Sequence, residues 1–231
     1  MQGKIFDVGY IFHVLPILLE QVPFTLFLTL LSLIAGLIVA FGLTFLSLSQ
    51  NKFLRSLVTG YIAFMRGTPP LLLLLLVYYG LPQLFMLVQI NINNWYKSAF
   101  AILAFALGMA AFFSEAMRSA YLAVDKGQRE AAQSVGMSPG QTLVRIIIPQ
   151  AIAISIPNMG NLFISLFKET SFVYSIGIID VFQKAQSIAA NGFGVRQLET
   201  FLALSLIYWL ICIIIEQLIG WYERRHRIMI P

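Results

Sequence analysis

Along the 231 residues, apolar runs long enough to cross a bilayer alternate with short polar islands. Five runs stand out, approximately 24–48, 57–79, 99–118, 147–167 and 201–220. About 20 apolar residues span the hydrocarbon core, and lipid offers a backbone no hydrogen-bonding partner, so each run predicts a helix. Before them, residues 6–19 mix apolar positions with Asp7 and His13 and read as interfacial. His13 has no second ligand at useful spacing and reads as a surface histidine. The pattern predicts an all-α integral membrane protein with five transmembrane helices. It divides into an extracytoplasmic or interfacial segment, 1–23, and one transmembrane domain, 24–231. No removable signal peptide is expected, because the first ten residues carry Asp7 and lack a basic stretch with a cleavage site. The longest polar intervals are 80–98, 121–145 and 168–200, the last containing Asp180, Gln183, Lys184 and Gln186, enough polarity for a short external helix or a gate.

Composition sharpens this picture. Hydrophobic residues make up 59% of the chain and charged residues 11%, too few to coat a water-exposed surface. Mean hydropathy is +0.83. The net charge of +5 is dispersed, which suits loops facing an anionic leaflet and argues against nucleic-acid binding. Cys212 is the single cysteine and lies in an apolar run, so no disulfide framework exists. With the N-terminus outside, the inner side receives Lys52, Arg55, Arg66, Arg118, Lys126, Arg129, Arg145, Arg224, Arg225 and Arg227. The outer side receives Lys4, Lys97, Lys168, Lys184 and Arg196. That 10-to-5 division of the 15 basic residues predicts a multi-pass protein with its C-terminus cytoplasmic. Trp95–Tyr96 and Trp221–Tyr222 sit at span ends, as interfacial aromatics do.

Several polar positions interrupt the spans. Arg66-Gly67-Thr68-Pro69-Pro70 breaks the second: two prolines remove two backbone donors, giving either a bend beside a translocation path or a plain kink with Arg66 snorkelling. Glu115 and Arg118 share a helix face in the third and either pair with each other or leave Glu115 to meet a substrate ammonium group. In the fourth, Pro157 and Gly160 weaken the helix while Asn158, Asn161 and Ser165 supply donors and acceptors, for a solute or as packing glue. Glu169 and Thr170 close that span. Glu169 can offer an anion to an ammonium group, or Lys168 can neutralise it. No phosphate-binding glycine loop, His-Glu-x-x-His helix, Cys/His metal cluster or Gly-x-Ser-x-Gly turn is present. The chain therefore reads as a non-enzyme with no cofactor or metal of its own.

The most informative stretch is the polar island at 127–151. Glu130-Ala131-Ala132 reads as the start of a helix whose two small residues allow close approach of a partner. Gly136 permits a tight turn with positive φ, and Ser138-Pro139 reads as an N-cap followed by proline at the first position of a new helix. Together with Ile146-Ile147-Ile148-Pro149, the spacing resembles the cytoplasmic coupling loop, here about 121–145, of bacterial ABC importer permeases. Arg66-Gly67-Thr68-Pro69 with Tyr79-Gly80-Leu81-Pro82, and Asn161 to Leu166 with Lys168-Glu169-Thr170-Ser171, resemble the polar amino acid uptake group. Asp180 to Ala190, with Phe182-Gln183-Lys184-Ala185-Gln186, is similar to cystine permeases of that group.

The resemblance implies a type I importer permease in a bacterial plasma membrane. Its implied partners are a cytoplasmic ABC ATPase dimer carrying ATP and magnesium, a second permease copy or homologue, an extracytoplasmic solute-binding protein, and an amino acid substrate. It assigns ATPase coupling to Glu130, Ala131, Ala132, Gly136 and Pro149. The substrate path would be Glu115, Asn158, Asn161, Ser165, Glu169 and Thr170. Gating would fall to Arg66, Gly67, Pro69, Pro70 and Pro157. A secondary transporter is the competing class, but it would be larger or show an inverted repeat. A membrane scaffold would need no fixed cytoplasmic helix.

Overall fold

The computed structural model describes residues 6–226, so Lys4 and Arg227 of the charge count lie outside the described residues. Every regular element among them is helical. Four helices are long and apolar enough to cross a membrane: α2 (Val22–Ser47), α6 (Lys97–Ala123), the continuous run Pro139–Ile176, and α11 (Gln197–His226). The predicted second span is a broken one. α3 (Lys52–Gly67) ends at the glycine, and the helical stretch Pro70–Met86 restarts bent by 110°. That stretch comprises α4 (Pro70–Leu75), a π-turn and α5 (Leu81–Met86). Pro69 stands at the N-cap with extended ψ and Pro70 at the first helical position, where a missing N–H costs nothing. Counting the broken pair as one gives the five expected crossings.

The chain forms two compact units. The first takes the described residues up to Ala35, then Thr68–Ala106 and Ser165–Ile214. Its core joins α1 (Val8–Leu19) to α10 (Val181–Asn191) and α11: Ile11, Val14 and Leu18 pack against Val181, Ala185, Ala203, Leu204 and Ile207. The N-terminal segment expected at the interface is thus docked on the bundle. Its N-cap, Asp7, accepts from Tyr10 N and is paired with Arg196 at 3.3 Å, while Asp7 N donates to Glu199 at 3.2 Å. His13 is exposed and stacks on Tyr10, 6.0 Å between centroids.

The second unit takes Gly36–Gly67, Leu107–Ile164 and the described residues from Ile215. Within it, the Tyr61 hydroxyl donates to Leu107 O at 2.7 Å and Thr44 Oγ1 reaches Ser114 O at 3.2 Å, tying α3 and α2 to α6. The expected weakening of the fourth span at Pro157 and Gly160 does not occur. α9 (Ile148–Glu169) runs through both as unbroken α-helix. Gly160 instead makes room for a neighbour: a Cβ there would collide with Ile219 Cδ1 of α11. The glycine serves helix–helix approach, as small residues do between membrane helices.

Candidate functional site: the coupling segment and the polar spans

The segment expected to couple to an ATPase is built from local capping chemistry. α7 (Lys126–Ser134) starts four residues before Glu130, because Asp125 caps it, accepting from Gly127 N at 2.6 Å. Glu130 is therefore mid-helix and exposed, Ala131 is exposed beside it, and Ala132 is turned inward at 6% exposure. Only one of the two alanines is open to a partner. α7 ends in a Schellman turn: Met137 N donates to Ala132 O and Gly136 N to Gln133 O, with Gly136 at φ 84°. Ser138 then opens α8 (Pro139–Thr142) with a capping box completed by Gln141 and with Pro139 at the first position. A π-turn over Leu143–Ile147 follows, and the exposed Pro149 sits just beyond it inside the continuous helical run, where the wider turn accommodates its missing N–H.

Behind α7 lies a cavity of about 250 Å³ lined by Tyr121, Arg129, Gln133, Pro139, Leu143 and Ile147, among others. Arg129 bridges it, donating to the Tyr121 hydroxyl at 2.7 Å with its guanidinium over that ring. Gln150 and Gln128 meet at 3.4 Å and tie α9 back to α7. The exposed faces of α7 are thus held by an ordered base.

The remaining predicted positions separate into those that are spent and those that are open. Arg118 holds Glu115 at both oxygens, 2.5 and 3.1 Å, so the pairing alternative is the one realised. Arg66 stacks over Phe112, 5.6 Å from its centroid. Thr170 is fully buried and donates to Phe167 O at 2.7 Å, which removes it from any open path. Ser165 and Glu169 are half-buried, and no Lys168–Glu169 ion pair forms. Asn158 and Asn161 are exposed, three residues apart on one face of α9. No cluster of three or more His, Cys, Asp or Glu suited to a metal occurs among the described residues.

Residues 32–228 match the family described as binding-protein-dependent transport system inner membrane component. The chain belongs to this family. It is 36% identical over 220 residues to a probable amino-acid ABC transporter permease of Vibrio harveyi, covering 95% of this chain and 96% of that one. It is 35% identical over 222 residues to an L-cystine transport system permease of Bacillus subtilis, covering 96% and 92%. A crystal structure of an amino acid ABC transporter with histidines superimposes with a TM-score of 0.83 at 31% identity, over 96% of this chain and 99% of that chain.

One buried polar group of this inner membrane permease escaped the sequence reading as a site in its own right. Asp180 caps α10, accepting from Gln183 N at 2.8 Å, and is fully buried with its second oxygen unpartnered. Burial pushes its carboxyl up to about 6, partly opposed by the capping N–H bonds. An Asp preceding a helical pattern marks the cap. Nothing local marks the depth of its burial.

Proposed function

We propose that this permease is the translocation subunit of an ATP-driven importer for a polar amino acid, with cystine the first cargo to test. The observation that carries the reading is the pair Asn158 and Asn161, exposed on the least buried of the four long apolar runs. Transferring an amide from water to hydrocarbon costs about 4–8 kcal/mol when nothing hydrogen-bonds it. A face bearing two such groups is poorly suited to lipid and well suited to a wet path shared with a second permease copy. Half-buried Glu169 supplies a carboxylate for a substrate ammonium group. The doubled proline at 69–70 and the unbroken helix through Pro157 are the places where gating motion would bend.

ATP hydrolysis belongs to a separate cytoplasmic subunit, docked on the exposed Glu130–Ala131 side of α7 and on the Gly136 turn. Orientation follows the basic residues, with α7 in the cytoplasm and the N-terminus outside. The cystine assignment rests on the resemblance of 180–190 and on the B. subtilis relative, which transports L-cystine by its name. Purification of the tagged permease from native membranes in mild detergent tests the reading. An ABC ATPase recovered at about one per permease, with labelled cystine taken up by the reconstituted complex, is the expected result. Recovery without any ATPase would refute it, and an ATPase with uptake of a different amino acid would refute cystine alone.

A further inference from the structure

The segment joining α10 to α11 is held in a conformation its sequence should avoid. α10 ends in the same Schellman geometry as α7: Gly194 N donates to Ala189 O and Phe193 N to Ala190 O, both at 3.0 Å. The position that turns left-handed in α7 is Gly136, but here it is Phe193, at φ 50°, followed by Gly194 at 70°. A side chain in that region costs roughly 1–2 kcal/mol relative to glycine. Glycines flank Phe193 on both sides, yet the strained position itself keeps a large side chain. Gln89 is the other non-glycine residue with positive φ among the described residues, and it is polar.

The ring is also displayed. Phe193 is 96% exposed, more than any other large apolar side chain described. Its backbone is fixed by the two Schellman bonds, by Val195 N to Gly192 O at 3.0 Å, and by Gln197 N to Gly194 O. Arg196 clamps the base of the loop through Asp7 at 3.3 Å and Glu199 at 3.1 Å. A hollow of about 430 Å³ beside the ring is lined by Gln186, Ala189, Ala190, Gln197 and Phe201, with no charged side chain. The exposed loop residues Asn191, Gly192, Phe193, Val195 and Gln197 are uncharged as well.

We propose that Phe193 is the docking knob for the extracytoplasmic solute-binding protein, entering an apolar socket with an uncharged rim on that protein. The inference rests on the proposed function, and the family description itself calls for a binding protein. One candidate span, Pro139–Ile176, separates α7 from this loop along the chain, so with α7 cytoplasmic, as proposed, the loop is extracytoplasmic. A preorganised aromatic gains affinity by meeting a shaped pocket, because its ordering cost is already met. Fluid lipid rewards no such rigidity, and interfacial anchors favour Trp and Tyr, whose polar tips Phe lacks. The loop's one charge, Arg196, is already paired with Asp7 and Glu199, so the contact is one that salt weakens little.

A photoreactive phenylalanine analogue at position 193 of the complete transporter, irradiated in cells, tests this directly. The expected adduct is an extracytoplasmic protein that binds an amino acid when purified, with a yield unchanged by raised salt. Adducts with lipid alone, with no protein, or with a yield that collapses in salt would overturn the proposal. Phe193→Gly provides the second arm, since glycine accepts the turn without strain and the fold is retained. Uptake should fall about tenfold or more at limiting binding protein and recover when that protein is in excess. Wild-type uptake with no change in Phe193→Gly sinks the docking knob alone, whereas absence of wild-type uptake sinks the function on which it rests.

Discussion

α6 and α9 flank α7 and α8 along the chain and are built in opposite ways. The most apolar stretch of α6 is 61% buried, and that of the run containing α9 is 17% buried. α6 packs through small residues at helical spacing: Ala101, Ala104, Ala106, Ala110, Ala111, Ala116 and Ala120 are all 3% exposed or less. Its two internal charges, Glu115 and Arg118, answer each other one turn apart. α9 leaves Pro157, Asn158 and Asn161 on its surface and packs closely where Gly160 admits Ile219. One helix is a fixed post within this chain. The other turns outward a polar face that the proposed partner copy would cover.

Substitutions can break that contrast, and the largest effect should fall between the two helices. In the transporter, Gly136→Asp is expected to lower uptake about a hundredfold, since a side chain at φ 84° strains the turn and places a charge on the proposed docking face. ATPase recovered with the purified variant measures it, and undiminished recovery would contradict the assignment. On α6, Ala110→Leu should cost about 1–3 kcal/mol by overpacking, read as loss of monodisperse protein in detergent. On α9, Asn158→Leu with Asn161→Leu should leave folding intact and cut uptake about tenfold, by analogy with loss of a positioned polar contact. Equal folding defects in both helices would erase the distinction.

Two smaller effects sharpen it. Asp180 is the buried counterpart of the exposed asparagines, with a folded-state carboxyl raised from 3.8 to about 6 by burial. Its native form holds the proton more tightly than the unfolded chain does. The stabilisation it offers is therefore complete below pH about 4 and lost as pH rises through about 6. Asp180→Asn, which keeps the cap, should raise the unfolding midpoint at pH 8 and bring no gain near pH 4. A gain independent of pH would remove burial of the charge as its cause. Glu115→Gln should change uptake by less than about twofold, because Arg118 already occupies the carboxylate and leaves it no substrate to meet.

What could be read from the chain beforehand was what local chemistry decides. Gly136, Ser138 and Pro139 specify a turn and a cap within a few residues of themselves, and both form as expected. Asp125 carried an equally local capping signal that places the start of α7 at Lys126, ahead of Glu130. Positions whose meaning depends on distant neighbours were not legible. Gly160 looked like a weak point and is a packing slot, because Ile219 lies 59 positions along the chain. Nothing within residues 6–19 announces the partners of α1, whose apolar face finds Val181 and Leu204. Thr170 looked like a path residue, and its hydroxyl is consumed one turn back in its own helix.

Solvent access to α9 is the most direct test of the central claim. In a chain whose Cys212 is replaced by serine, Asn158→Cys and Asn161→Cys can be probed in the assembled transporter with a charged, membrane-impermeant thiol reagent. Ile152→Cys, an exposed apolar position on the side of α9 away from Asn161, serves as the reference. Both asparagine positions are expected to label, faster when the ATPase is cycling, while position 152 stays unreactive. Labelling of position 152 alone, or of none of the three by anything but a lipid-soluble reagent, would place the polar face of α9 away from water and contradict the translocation path.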